Sequence, residues 1–296
     1  MSQQETELEL ETNGLTFPAV SAGSPNDDLV LFVHGFPDNL YTFQPQLQVI
    51  ADAGYYAVSV GLRGYSPASQ PADGNYSLEA LATDVVGWID ALGADKAHLI
   101  GHDWGAGAAY VAAAYHGDRL HSATAMSVPP LARVPKAVRQ VPRQVQRSWY
   151  MNWFQVPGLS NMSARIGGWF LLRRLWHTWS PGYQATERQW ASVVETFEQP
   201  GVLNSAVKYY RQNATPAVLL GLRSTLATTP VPIEVPVLII NGSDDGCMDR
   251  RMYENAIVED DYRCGVRHEE LAGVGHFLHW ERPDLINQIL IDHLAA

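Results

Sequence analysis

Two cysteines, Cys247 and Cys264, are all that the 296 residues contain. That is too few for a disulfide framework and, by themselves, too few for a zinc site, so no metal is expected and a reducing, cytoplasmic setting is the default. Long apolar runs are missing too: nothing approaches the ~20 residues of a membrane-spanning helix, and no membrane partner is expected. Met1 to Asn13 is polar and acidic, without a positive segment leading into an apolar one, so no signal peptide is expected. Positive charge is scarce, with 20 Lys and Arg against 31 Asp and Glu and a net charge of −11, which argues against general binding to nucleic acid. Internal repeats and low-complexity tracts are absent. What remains, 46% hydrophobic and 17% charged residues, is ordinary for a soluble globular enzyme that buries one large core or a core with an insertion.

The positive charge is unevenly spread. Between Pro129 and Thr228 stand 12 Lys and Arg against three acids, Glu187, Glu195 and Glu198, so this third carries +9 and the rest −20. Six of the nine tryptophans (Trp149, Trp153, Trp169, Trp176, Trp179 and Trp190) lie there as well. The shift predicts a helical cap over 129–228, broken at Pro157, Gly158 and Pro181, inserted in a core formed by 1–128 and 229–296. Its cations Arg133, Lys136, Arg139, Arg143 and Arg147 either attract anionic substrates, dock on the acidic core, or simply solvate a helical surface.

On either side of that insertion, strands and helices alternate. Residues 6–21 read as an outer hairpin. Leu29–Val33 is a continuous apolar run, as in a strand buried on both faces of a parallel sheet. Strands are also expected at Tyr55–Val60, Ala97–Ile100, Ser122–Ser127, Val235–Ile240 and Val266–Leu271. Apolar residues at helical spacing mark Leu78–Leu92 and Pro283–Leu294, and the whole predicts an α/β fold with a doubly wound sheet.

The chain is organised around Leu99-Ile100-Gly101-His102-Asp103-Trp104-Gly105-Ala106. A short strand, a glycine-flanked turn and an alanine-rich helix form a nucleophile elbow, with Asp103 at the position that holds Ser in most such turns. A carboxylate with a reference pKa of ~3.9 is already ionised at neutral pH and needs no base to activate it. It suits displacement at an sp3 carbon, leaving an alkyl ester for water to hydrolyse. The plainer alternative is an Asp that merely caps a helix. Asp244/Asp245 and His276 follow two later strands, and in open α/β sheets such loops converge at the carboxyl ends of the strands.

These residues resemble those of the α/β-hydrolase epoxide hydrolases, close relatives of the hydrolytic dehalogenases, over about Leu29 to Leu294. His34-Gly35-Phe36-Pro37 is similar to the family's H-G-x-P loop, Gly101–Gly105 to its Asp elbow, Gly242–Asp245 to its acid loop and Gly275-His276-Phe277 to its histidine loop. Tyr150–Gly158 and Tyr209–Asn213 resemble its two cap tyrosine motifs. The resemblance implies a mostly parallel, eight-stranded-type sheet with an inserted helical cap. It implies that Asp103 attacks an oxirane carbon while Tyr150 and Tyr210 hold the oxygen, and that His276, oriented by Asp245, activates the hydrolytic water. Backbone N–H groups of Phe36 and Trp104 would form the oxyanion hole, and His34, Pro37, Trp104 and Trp153 would contact substrate. The partners implied are a small epoxide and water, with no cofactor and no metal, and homodimer formation stays open. A dehalogenase would use the same triad, with Trp104 and a cap tryptophan on the halide. Against it, haloalkane dehalogenases carry Asn or Glu where Phe36 stands, and haloacetate dehalogenases favour Arg where Trp104 stands. A non-catalytic ligand-binding homologue would be expected to have lost a catalytic residue, and none is missing.

Overall fold

The computed structural model describes residues 5–215, 217 and 232–296. Eight strands form one sheet: β1 (Thr6–Thr12), β2 (Leu15–Ala22), β3 (Asp28–Val33), β4 (Tyr55–Val60), β5 (Ala97–His102), β6 (Leu120–Met126), β7 (Val237–Gly242) and β8 (Val266–Leu271), in the order β1-β2-β4-β3-β5-β6-β7-β8. β2 runs antiparallel to β1 and β4, and every other pairing is parallel. The β1–β2 hairpin turns at Asn13-Gly14, both at positive φ (53° and 72°), as a two-residue connection between right-twisted strands requires.

Alternation along β3 assigns its residues to two separate cores. Leu29, Leu31 and Val33 pack with Leu81, Val85 and Trp88 of α2 (Leu78–Ala91) and with the alanines of α3 (Trp104–Tyr115). Val30 and Phe32 pack with Leu47 and Ile50 of α1 (Gln44–Asp52) and with Ile286 and Leu290 of a C-terminal helix (Pro283–Leu294). Each fully buried side chain of this kind contributes ~1.5–3 kcal/mol. β7 begins two residues later than the apolar run suggests. Pro236 has no N–H for a ladder, and its carbonyl takes the Ala123 N–H at 3.0 Å.

Between β6 and β7 the described residues form helices: α4 (Val134–Gln140), α5 (Arg143–Arg147), α6 (Trp149–Phe154), α7 (Leu159–Trp179), α8 (Glu187–Glu198) and α9 (Val202–Asn213). The expected end of the insertion near Thr228 lies outside the described residues. α7 is broken at Ile166–Trp169, where Gly167, Gly168 and Trp169 all take positive φ. Trp169 pays for that conformation by burying its ring against Phe197, centroids 6.2 Å apart. Two of the five cations singled out above dock on core carboxylates. Arg133 grips Asp261 through Nε (2.7 Å) and Nη2 (2.5 Å), and Arg147 lies 3.9 Å from Asp249. Among the described residues no helix is long and apolar enough to cross a membrane.

Candidate active site

Asp103 links β5 to α3 at φ 51° and ψ −114°, a conformation that costs a non-glycine residue of order 1–3 kcal/mol. Close packing around it explains the glycines. A Cβ on Gly101 would strike the Gly105 carbonyl, one on Gly105 would strike the Val33 carbonyl, and one on Gly35 would strike the Asp103 side chain itself. Because Gly35 lets the β3 loop approach, the Phe36 N–H donates to Asp103 Oδ1 at 2.9 Å. Trp104 is the first residue of α3, so its N–H belongs to the helix end that has no intrahelical acceptor.

The loops after β7 and β8 meet this elbow. His276 Nδ1 donates to Asp245 Oδ2 at 2.9 Å, and His276 Nε2 stands 3.6 Å from Asp103 Oδ2. Asp245 Oδ1 accepts the N–H groups of Cys247 (2.6 Å) and Met248 (2.9 Å), which fix the carboxylate's orientation. Asp244 points elsewhere: it is exposed and accepts from the Ser243 hydroxyl at 2.9 Å. The His276 carbonyl accepts from Ser127 Oγ (2.7 Å) and His102 Nε2 (3.0 Å), and its N–H donates to the Trp179 carbonyl at 3.0 Å. Burial disfavours the imidazolium of His276, but Asp245 and Asp103 outweigh it and push its pKa up to about 10. Burial prevails at His102, where no carboxylate among the described residues is hydrogen-bonded to the ring and the Asp103 charge only partly opposes it. The pKa of His102 falls to about 3, with the neighbouring His276 charge adding to the drop.

Asp103 opens onto a cavity of about 150 Å3 walled chiefly by Leu78, Val128, Leu131, Val138, Met151 and Met252. Trp104 and Tyr210 line it, and none of the described residues that line it is Lys, Arg or His. The Tyr210 hydroxyl and the Trp104 indole N–H are buried without a hydrogen-bond partner among the described residues. Burial first, and the Asp103 charge second, hold the Tyr210 phenol protonated well above its ordinary range. Tyr150 lies behind it, ring centroids 5.7 Å apart, with its hydroxyl 3.3 Å from Cys247 Sγ.

Three expected substrate contacts sit elsewhere. His34 is wholly buried, with Nδ1 on the Gly35 carbonyl (2.9 Å) and Nε2 accepting from Leu62 N–H (3.1 Å), so its ring shapes the loop and has no nitrogen left for a ligand. Burial lowers its pKa to about 4 and keeps it in that neutral form. Pro37 offers its carbonyl to Trp176 Nε1 at 2.7 Å, and Trp153 gives its indole N–H to Ser163 at 2.9 Å. Neither lines the cavity. Conversely, Gln144, Arg147 and Cys247 touch the acid loop and were not anticipated there. The spacing 144, 147, 150 would have placed the first two on the same side as Tyr150. Among the described residues the trio able to share a metal ion is Asp245, Cys247 and His276, with ligand atoms within 4.8 Å of one another.

Residues 28–283 match the family described as alpha/beta hydrolase fold. Epoxide hydrolase A of Mycobacterium tuberculosis is 29% identical, covering 98% of both chains. Human epoxide hydrolase 4 is 28% identical over 96% of this chain and 76% of its own. A crystal structure of Bacillus megaterium epoxide hydrolase with an inhibitor superposes with a TM-score of 0.86 at 25% identity, covering 98% of this chain and all of that one.

Proposed function

Since the chain belongs to the alpha/beta hydrolase fold family, we propose that it hydrolyses epoxides to vicinal diols through an ester on Asp103. The observation that carries this reading is the ring of unspent polar atoms around Asp103. The Tyr210 hydroxyl, the Trp104 indole N–H and His276 Nε2 are all buried without hydrogen-bond partners among the described residues. The names of the relatives point the same way.

Asp103 Oδ2 attacks the less hindered oxirane carbon, and the C–O bond breaks toward Tyr210 and Tyr150. A phenol is a neutral donor that can stabilise the developing alkoxide and surrender a proton to it. Oδ1 becomes the ester carbonyl oxygen, held by the N–H of Phe36 and, at the end of α3, that of Trp104. Alkylation cancels the Asp103 charge and with it one of the two influences that keep His276 protonated. The imidazolium then returns its proton to the phenolate left by ring opening, and the neutral imidazole takes one from the water that adds to the ester carbon. Collapse of the adduct releases the diol and regenerates the carboxylate. Helices between 129 and 228 act as the cap that carries both tyrosines, and the free, unpaired cysteines Cys247 and Cys264 favour a cytoplasmic setting. The cavity's apolar wall suits a compact, uncharged epoxide.

A dehalogenase would hold its halide with indole N–H groups, but Trp153 and Trp176 have already given theirs to Ser163 and Pro37. Turnover of styrene oxide and of a bromoalkane, assayed side by side, separates the two. Mass spectrometry of a His276→Gln variant mixed with epoxide should find the ester on the peptide containing Asp103, because only the second step needs the base. No adduct there would overturn the mechanism.

A further inference from the structure

The segment that carries Tyr150 is fastened directly to the loop that carries Asp245. Gln144, Arg147 and Tyr150 recur every third residue along α5 and α6, and all three reach residues 245–249. Gln144 takes two backbone groups at once. Its Nε2 donates to the Cys247 carbonyl at 2.9 Å and its Oε1 accepts the Asp249 N–H at 2.8 Å. The side chain is 3% exposed, so both bonds are made out of water. Arg147 Nη1 donates to the carbonyls of Asp245 and, at 3.2 Å, Met248, while its Nε lies 3.9 Å from Asp249. The third contact is the Tyr150 hydroxyl on Cys247 Sγ. Within the loop, the N–H groups of Cys247 and Met248 hold the Asp245 carboxylate that holds His276.

We infer that Gln144 and Arg147 are positioning residues that set Tyr150 and the Asp245–His276 pair in one frame, so that a single clasp governs both half-reactions. The inference rests on the proposed two-step hydrolysis, in which Tyr150 serves ring opening and Asp245 serves ester hydrolysis. Neither residue is needed for the chemistry itself; Gln144 also forms part of the cavity wall and Arg147 does not, so the Arg147 variants are the cleaner test. Each acts through groups it holds, and a misplacement of about 1 Å in such groups can cost on the order of 10²-fold in rate.

Single-turnover kinetics with styrene oxide test it, because alkylation and hydrolysis are then read as separate rates. Arg147→Met keeps the aliphatic stem and removes the donors, and Gln144→Leu keeps the approximate size and removes both bonds. Each should slow both steps, by about tenfold apiece. Arg147→Lys restores one donor without the planar fork and should recover part of both rates. Arg133→Met breaks a separate tie to the core, made at Asp261 from the residue before α4, and should leave both rates within about twofold. A general loss of stability would not produce that pattern in enzyme held well below its melting temperature. If Arg147→Met does not fold, the comparison of Arg147→Lys with the parent carries the same test. Folded Gln144 and Arg147 variants with unchanged rates would overturn the clasp, and so would slowing confined to one step. A parent enzyme that forms no alkyl ester defeats the two-step reading instead, so the two failures are distinguishable.

Discussion

Removing one oxygen atom from Tyr210 should make the protein slower and more stable. The ring of Tyr210 packs among Trp104, Phe154, Phe36 and Tyr150, with centroids 5.0, 5.0, 5.4 and 5.7 Å away. Tyr210→Phe leaves those contacts in place. The hydroxyl has no hydrogen-bond partner among the described residues, so the folded state carries a desolvation cost that the substitution removes. That release is worth ~1 kcal/mol, a rise of roughly 2 °C in Tm for a chain of this size. Ring opening, in contrast, loses a donor aimed at developing negative charge, which costs ~3–4 kcal/mol, or a factor of about 10²–10³. The assay is stopped-flow tryptophan fluorescence in a His276→Gln background, which isolates alkylation and uses Trp104 as the reporter. Tyr150→Phe should slow the same step, and the double variant should nearly abolish it. A Tyr210→Phe enzyme that is alkylated at the parental rate would refute the assigned role. One that melts several degrees earlier would refute the unpartnered hydroxyl.

Three further outcomes follow from the same geometry. Asp245→Asn should slow ester hydrolysis by on the order of 10²-fold or more while Asp244→Asn stays within about twofold, and the reverse ranking would show that the acid is misplaced. The pKa of His276 is raised from ~6.5 in an unfolded chain to about 10. Its pairing with the two carboxylates therefore contributes fully below pH ~6.5 and is lost as pH rises through about 10. Urea unfolding across that window should show stability falling with pH, and a His276→Gln variant that falls just as steeply would dispose of the assignment. Finally, Arg133 and Arg147 are spent on Asp261 and Asp249, and among the described residues no cation lines the cavity. Added salt should therefore leave kcat/KM unchanged for neutral and carboxylated epoxides alike, whereas a drop for the carboxylated one alone would revive electrostatic steering.

Most of the sheet could be read from one-dimensional pattern because its signals are local. The apolar run at Leu29–Val33, the glycines around Asp103 and the helical spacing at Leu78–Leu92 each act within a few residues of themselves. The order of Asp103, Asp245 and His276 was legible for the same reason, since each ends a recognisable strand. What escaped depends on partners far away in the chain. Nothing near His34 reveals that Leu62 will occupy its second nitrogen, and nothing near Trp153 reveals Ser163 as its acceptor in place of a ligand. The break in α7 at Gly167-Gly168 was not among the expected ones at Pro157, Gly158 and Pro181, and burial of Trp169 is what lets the chain accept a third residue at positive φ there.

The last turn of α7 has a consequence for how molecules enter. Its Trp179 carbonyl takes the N–H groups of both Gly246 and His276, each at 3.0 Å, and the adjoining Ser180 hydroxyl takes that of Phe277 at 2.9 Å. Swinging the inserted helices away would therefore tear the hydrogen bonds that seat the base, and an enzyme opened in that manner would be disassembled at its own centre. Admission has to come from smaller motions in the wall. Met151, Met248 and Met252 stand in that wall, and an unbranched thioether changes rotamer at little cost. Entry is then a sieve set by side-chain breathing, and the shape of a guest is judged at the threshold before any bond to Asp103 is made.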